Sequence, residues 1–174
     1  MTDMPIRMLG IDPGLASTGY AVLDKYDELN NPNLIKSGTI RTNSKSTKST
    51  RLGLIFMELM ELIARFQPDE LAVETQFIAK NVKAAMSVSE VRATALVAAS
   101  RYGIPVWEIS PREVKESITG WGNAPKEQVQ LMLAAQINST EIPSSLDASD
   151  AVAIGLTAYT LRRYELMYKQ EPKQ

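Results

Sequence analysis

Short apolar runs separated by turn-forming residues predict three strands near the start of the chain, over residues 8–12, 20–23 and 34–40. Pro13 and Gly14 end the first run, and a segment rich in Asn, Asp and Pro, residues 24–33, joins the second run to the third. Because both connections are turns, we expect these strands to be consecutive and antiparallel.

Further along the chain, helical patterns alternate with short apolar runs. A helix over residues 50–66 is predicted by five apolar residues at helical spacing, Leu52, Ile55, Leu59, Leu62 and Ile63. There follow a strand at 71–74, a helix from about residue 82 or 87 to 102, and a strand at 104–109. A helix start is indicated at Ser110, Pro111 and Glu113, which combine a capping box with proline at the first helical position. A short helix is expected from about residue 125, and a last helix from about 146 to 168. This order predicts an α/β fold: a five-stranded mixed sheet, its first three strands antiparallel, flanked by helices.

Composition limits the chemistry more than it limits the fold. The 174 residues, 44% hydrophobic and 22% charged, suffice for one domain over 1–174, with a core over about 8–166 and a flexible tail over 169–174. The sequence contains no Cys and no His, which excludes disulfides, Ser–His triads and the usual zinc sites. No stretch approaches the roughly 20 apolar residues of a spanning helix, so we expect a cytoplasmic protein without a membrane partner.

Charge is sorted along the chain although the formal net charge is only -1. Residues 36–51 hold five bases and no acid, whereas residues 131–160 hold three acids and no base. A fold that gathers the acids in one pocket would leave basic residues around its rim to hold a polyanion, namely Lys45, Lys48, Lys80, Lys83, Arg112, Lys115 and Lys126. The alternative is that these charges are scattered and only keep the protein soluble.

Four acids occupy positions where the pattern predicts burial. Asp12 and Glu74 each end an apolar strand, and neighbouring strands would bring both to one end of the sheet, where α/β folds usually bind ligands. Asp147 and Asp150 are three residues apart on the face of the last helix whose apolar stripe continues as Ala151, Ile154, Ala158 and Leu161. For Asp12 and Glu74 the alternative role is to cap a turn.

A cluster of four buried carboxylates requires compensation, because like charges would otherwise force some of them to protonate. A divalent cation supplies it, and oxygen-only ligands select magnesium or manganese over zinc. Two such ions activate a water and stabilise the oxygens of a phosphodiester during displacement, so phosphoryl transfer to water is the expected reaction. A rival interpretation is nucleotide binding by the glycine-rich turn at Gly10, Gly14 and Gly19, which is a weak signal by itself.

Four motifs in order resemble those of the RuvC family of bacterial Holliday junction resolvases, within the RNase H-like and retroviral integrase superfamily. They are Gly10-Ile11-Asp12-Pro13-Gly14 with Thr18-Gly19-Tyr20; Glu74 with Phe77 and Ala79-Lys80-Asn81; Ser110-Pro111-Arg112-Glu113-Val114-Lys115 with Thr119-Gly120 and Lys126-Glu127-Gln128-Val129; and Asp147-Ala148-Ser149-Asp150-Ala151. The resemblance implies an RNase H-like endodeoxyribonuclease that acts as a homodimer in recombination and repair. It would use Asp12, Glu74, Asp147 and Asp150 to bind Mg²⁺ and cut paired strands of a four-way DNA junction.

The resemblance also suggests roles for single residues. Two Mg²⁺ per subunit are expected, replaceable by Mn²⁺: Asp12 would bridge them, Glu74 and Asp150 would each complete one site, and Asp147 would orient or ligate. DNA would be contacted by an aromatic side chain that stacks on bases and by basic residues that hold phosphate, namely Phe77, Lys80, Arg112, Lys115 and Lys126, with Lys83 a further candidate.

Partners follow from the same resemblance. The family pairs with a RuvA/RuvB branch-migration complex, and its dimer surface lies on the second helix, where small apolar residues are Ala84, Val88, Val91, Ala95, Val97 and Ala98. A helix buried within the monomer explains much of that pattern too. Two other functions stay open: an RNase H-like nuclease with another nucleic-acid substrate, and a noncatalytic module that binds junctions or nucleotides.

Overall fold

The computed structural model describes residues 4–27, 29–75, 82–139, 143 and 145–170. Its strands are β1 (Ile6–Asp12), β2 (Ser17–Lys25), β3 (Asn33–Arg41), β4 (Glu70–Glu74) and β5 (Val106–Ile109). Its helices are α1 (Lys48–Phe66), α2 (Val82–Arg101), α3 (Pro111–Thr119), α4 (Lys126–Ala134) and α5 (Leu146–Gln170). Every predicted element is therefore present in the described residues, in the predicted order.

One five-stranded sheet runs in the order β3-β2-β1-β4-β5. β1 pairs antiparallel with β2, and β2 with β3, whereas β4 pairs parallel with both β1 and β5. The predicted mixed sheet with three antiparallel strands is confirmed. β5 begins at Val106 rather than at the predicted residue 104. The carbonyl of the preceding residue, Pro105, accepts a hydrogen bond from the N–H of Leu71 on β4 at 3.0 Å.

Side chains alternate between the two faces of the sheet, and each face has its own core. Leu9 and Ile11 of β1 point to the face covered by α1 and α2. Met8 points to the opposite face, which α3, α4 and α5 cover. None of the helices in the described part of the chain combines the length and hydropathy needed to cross a membrane.

Helix α5 is buried more completely than its predicted stripe of Ala151, Ile154, Ala158 and Leu161. All residues from 151 to 159 are buried, while Leu161 is only half-buried. The helix contacts β1 and β2 on one side and α3 on the other, where Ser117 Oγ donates to Thr160 Oγ1 at 3.2 Å. Helix α5 also continues to Gln170, past the start of the predicted tail, and residues 171–174 lie outside the described residues.

The small apolar residues of α2 include three that are buried and three that are at least partly exposed. Val91, Ala95 and Ala98 are fully buried in the core shared with α1, so assigning these three to a dimer surface is wrong. They pack inward because α2 covers the sheet. Ala84 and Val97 are exposed and Val88 is half-buried, so of these six residues only these three are open to contact with a partner.

Candidate active site

Asp12 and Glu74 end neighbouring parallel strands. Ile11 pairs with Val73 across β1 and β4, so the two acids that follow lie at the same end of the sheet. The alternation of side chains places both on the α5 face, with Met8 on β1 and with Ala72 on β4. The expected meeting of these two strand ends is therefore confirmed.

Two glycines bring the N-terminal end of α5 against this end of the sheet. A Cβ on Gly19 would collide with the carbonyl oxygen of Asp147, and a Cβ on Gly10 with that of Ala151. Gly19 also pairs directly with Asp12 across β1 and β2. Two of the three glycines that suggested a phosphate-binding turn, Gly10 and Gly19, thus have a packing role, since they let the N-terminal end of α5 approach Asp12.

The charges of the four acids act on one another. The pKa of Asp12 is raised to about 7, chiefly by burial and in addition by the negative charges of Asp150 and Asp147, against the opposing effect of Lys126. Burial likewise raises the pKa of Glu74 to about 7, together with the charges of Asp12 and Asp150. The acids of two strands and one helix therefore form one electrostatic cluster, as like charges in a poorly solvated site must.

Lys126 lies inside this cluster. Its Nζ forms an ion pair with Asp150 Oδ2 at 2.5 Å, and the Asp150 side chain is 31% exposed. Burial opposes the charged form of Lys126, but the hydrogen bond to Asp150 and the charges of Asp12 and Asp147 outweigh that effect and raise its pKa. A residue expected to contact phosphate is thus paired with one of the acids.

Ser17 belongs to the site and was missed as a partner of the acids. Its hydroxyl donates a hydrogen bond to Asp147 Oδ2 at 2.5 Å. In the sequence Ser17 appears only within the glycine-rich turn, beside Thr18 and Gly19. No local pattern points to a contact with a residue 130 positions away.

The donor set fits a hard divalent ion in its chemistry. All four acids supply oxygen ligands, and such an ion would relieve the repulsion that, after burial, raises the pKa values of Asp12 and Glu74. As the side chains stand, no group of three or more His, Cys, Asp or Glu within the described ranges has the geometry to hold an ion. Lys126 supplies positive charge beside Asp150 instead.

The other predicted DNA contacts have different surroundings. Arg112 is exposed on α3 with its stem over Gly122, and Lys115 on the same helix is half-buried. Phe77 and Lys80 lie outside the described residues. Among the rim residues, Lys48 forms an ion pair with Glu90 at 2.8 Å.

Comparisons with known proteins agree on one family. Residues 8–158 match the family model for crossover junction endodeoxyribonuclease RuvC. The chain is 40% identical over 159 residues to the RuvC protein of Halothermothrix orenii, covering 90% of this chain and 95% of that one. The structure is similar to that of Thermus thermophilus RuvC in complex with Holliday junction substrate, with a TM-score of 0.86, 31% identity and coverage of 92% and 96% of the two chains. A yeast mitochondrial Holliday junction resolvase, at TM-score 0.65, 14% identity and 97% and 87% coverage, shares the fold.

Proposed function

The chain belongs to the RuvC family of crossover junction endodeoxyribonucleases, and we propose that it resolves Holliday junctions by metal-dependent hydrolysis of paired phosphodiester bonds. The observation that carries this proposal is the convergence of Asp12, Glu74, Asp147 and Asp150 at one end of the sheet. The similarity to a RuvC protein bound to junction DNA supports a four-way junction as the substrate.

Family membership implies a divalent metal, and we assign the four acids as its ligands. Asp12 is the bridging candidate because it is the acid on which both helix acids act. Glu74 and Asp150 would each complete one of two metal sites, and Asp147 would either help to orient the site or bind a metal directly. Bound metal supplies charge neutralisation and activation of water for attack on phosphorus. Mg²⁺ is the proposed ion, with Mn²⁺ as a substitute, because the ligands are all carboxylate oxygens.

Contacts to the DNA backbone are assigned to Arg112, Lys115 and Lys126. Arg112 and Lys115 share α3, and the charge of Lys126 lies beside Asp150, where it would meet a phosphate held over the cluster. The roles of Phe77 in base stacking and of Lys80 in phosphate binding stay predictions.

A homodimer is proposed because two equivalent strands of a junction require two equivalent sites. The outer face of α2 supports it, since Val82, Met86 and Val97 are all more than half exposed there. The RuvA/RuvB partnership, which the family resemblance implies, and the cytoplasmic location stay predictions. A single domain over 1–174 stays a prediction as well.

The test offers a mobile four-way DNA junction, a linear duplex and an RNA/DNA hybrid, each with Mg²⁺, with Mn²⁺ and with EDTA. We expect paired nicks in the junction alone, and only with metal. Asp150→Asn should abolish cleavage while junction binding persists, whereas Glu61→Gln, at an exposed acid on α1, should cut like the wild type.

Other outcomes identify the alternatives. Preferential cutting of the hybrid or the duplex would replace the substrate. Junction or nucleotide binding without any nicking would indicate a noncatalytic module. Cleavage by Asp150→Asn at the wild-type rate would refute the assignment of the acids.

A further inference from the structure

Ser17 connects β2 to the first turn of α5. It is the first residue of β2, it is half-buried, and its Oγ donates to Asp147 Oδ2 at 2.5 Å. Hydrogen bonds from a hydroxyl to an ionised carboxylate are short and about twice as strong as those between neutral groups. The contact therefore restrains Asp147.

The fold brings these two residues together through Gly19. Ser17 and Gly19 are two apart on β2 and so share its α5 face. Because Gly19 has no Cβ, the backbone of Asp147 can lie directly against the strand, and its side chain comes within reach of Ser17. A larger residue at position 19 would separate the two.

Asp147 is not needed to cap its own helix. The hydroxyl of Ser145 accepts a hydrogen bond from the N–H of Ala148 at 3.1 Å, which is the usual capping contact. The carboxylate of Asp147 instead turns to β2. Its contact with Ser17 thus serves the acid cluster rather than the helix end.

We propose that Ser17 is a positioning residue, which holds one carboxylate oxygen of Asp147 so that the other can serve as a metal ligand. This inference rests on the proposed function. The two helix acids differ in this respect. Asp150 is held by the cation Lys126, which competes with a metal, whereas Asp147 is held by a neutral hydroxyl, which does not. Residues that orient a metal ligand by hydrogen bonding typically change metal affinity by about 10–100-fold when they are removed.

The first measurement is metal affinity without DNA. Mn²⁺ is titrated into the full-length, metal-free protein and free ion is followed by electron paramagnetic resonance. We expect Ser17→Ala to raise the Kd for Mn²⁺ about tenfold, at the low end of that range because Ser17 is only half-buried. Ser17→Thr, which keeps the hydroxyl, should stay near the wild type. Ser37→Ala, at a half-buried serine in the middle of β3, is the matched control and should leave the Kd unchanged.

The second measurement is junction cleavage as a function of Mg²⁺ concentration. Ser17→Ala should need about tenfold more Mg²⁺ for half its maximal rate. At saturating Mg²⁺ its rate should recover, and its junction affinity and Tm should match those of the wild type. A purely structural role would instead lower Tm and would not be corrected by metal. If Ser17→Ala folds poorly, Ser17→Cys, a weak donor of similar size, should show the same loss of affinity.

An unchanged Mn²⁺ affinity in Ser17→Ala would overturn the proposal, as would an equal loss in Ser17→Thr. Absence of Mn²⁺ binding by the wild type would overturn it together with the metal-dependent function. If instead the wild type binds Mn²⁺ in a Ser17-dependent manner but cuts no junction, the proposed function fails while the role of Ser17 stands.

Discussion

Replacing Asp12 with Asn should stabilise the metal-free protein at pH 8 even though it abolishes cleavage. The reason is that burial disfavours the charged form of this half-buried carboxylate and that Asp150 and Asp147 repel it, and the neutral amide removes both costs. The proposed role of Asp12 in binding metal would account for an acid that costs stability at this position.

The pKa of Asp12 sets the magnitude. The difference between its ordinary value of 3.8 and about 7 corresponds to an upper limit of about 4 kcal/mol at alkaline pH. Glu74 and Asp150 share the repulsion, and removing one acid relieves only part of it. We therefore expect a gain of about 1–2 kcal/mol in the free energy of unfolding, or about 2–8 °C in Tm for a protein of this size.

The sign of the pH dependence follows from the direction of the shifts. Between pH 4 and 7 folded Asp12 and Glu74 retain protons that the unfolded chain has lost, since their folded pKa values of about 7 exceed 3.8 and 4.5. Their contribution to stability is complete below about pH 4 and is lost as the pH rises through about 7. Metal-free wild type should therefore lose Tm between pH 5 and pH 8, and Asp12→Asn should lose less.

Scanning calorimetry in EDTA at pH 5 and pH 8 measures both effects. Glu61→Gln, which neutralises an exposed acid on α1, is the control and should follow the wild type at both pH values. The reasoning would be refuted if metal-free Asp12→Asn were no more stable than the wild type at pH 8. It would also be refuted if the two proteins lost equal Tm between the two pH values.

Three further predictions concern the packing and charges around the site. Gly19→Ala should lower the free energy of unfolding by about 2–4 kcal/mol and reduce cleavage at least about 100-fold, because its Cβ would displace the start of α5. The control Gly53→Ala, whose Cβ meets nothing within 4 Å, should raise the free energy of unfolding by about 0.5–1 kcal/mol. Chemical denaturation and a cleavage assay measure these effects, and an unimpaired Gly19→Ala would contradict the close approach of α5. Lys126→Gln should lower the free energy of unfolding of the metal-free protein at pH 8 by up to about 1 kcal/mol, since its partly exposed ion pair with Asp150 is lost. Differential scanning fluorimetry measures the effect, and a rise in Tm would argue against that pair. Asp24→Asn should lower the free energy of unfolding by about 2–3 kcal/mol in urea denaturation, because this buried carboxylate accepts two hydrogen bonds at 2.7 Å from Arg7 of β1. A loss below about 0.5 kcal/mol would show that the pair contributes little to stability.

Local patterns in the sequence were sufficient to predict the order of the helices and strands, and they selected the four acids as candidate site residues. Helical spacing and strand alternation are properties of neighbouring residues, so they can be read without knowledge of the fold. The capping box at Ser110 and Glu113 is such a case, and both of its hydrogen bonds are present. The adjacency of Asp12 and Glu74 also followed, because only the assumption that their strands are neighbours was needed.

The tertiary structure alone decided which distant residues contact these acids. The hydroxyl of Ser17 reaches Asp147 only because Gly19 lets α5 lie against β2, and Lys126 meets Asp150 only because of where α4 begins relative to α5. The same holds for α2, whose Val91, Ala95 and Ala98 are buried in this chain rather than offered to another. Such contacts depend on how whole elements dock, and a pattern of neighbouring residues carries no record of the surface against which it will pack.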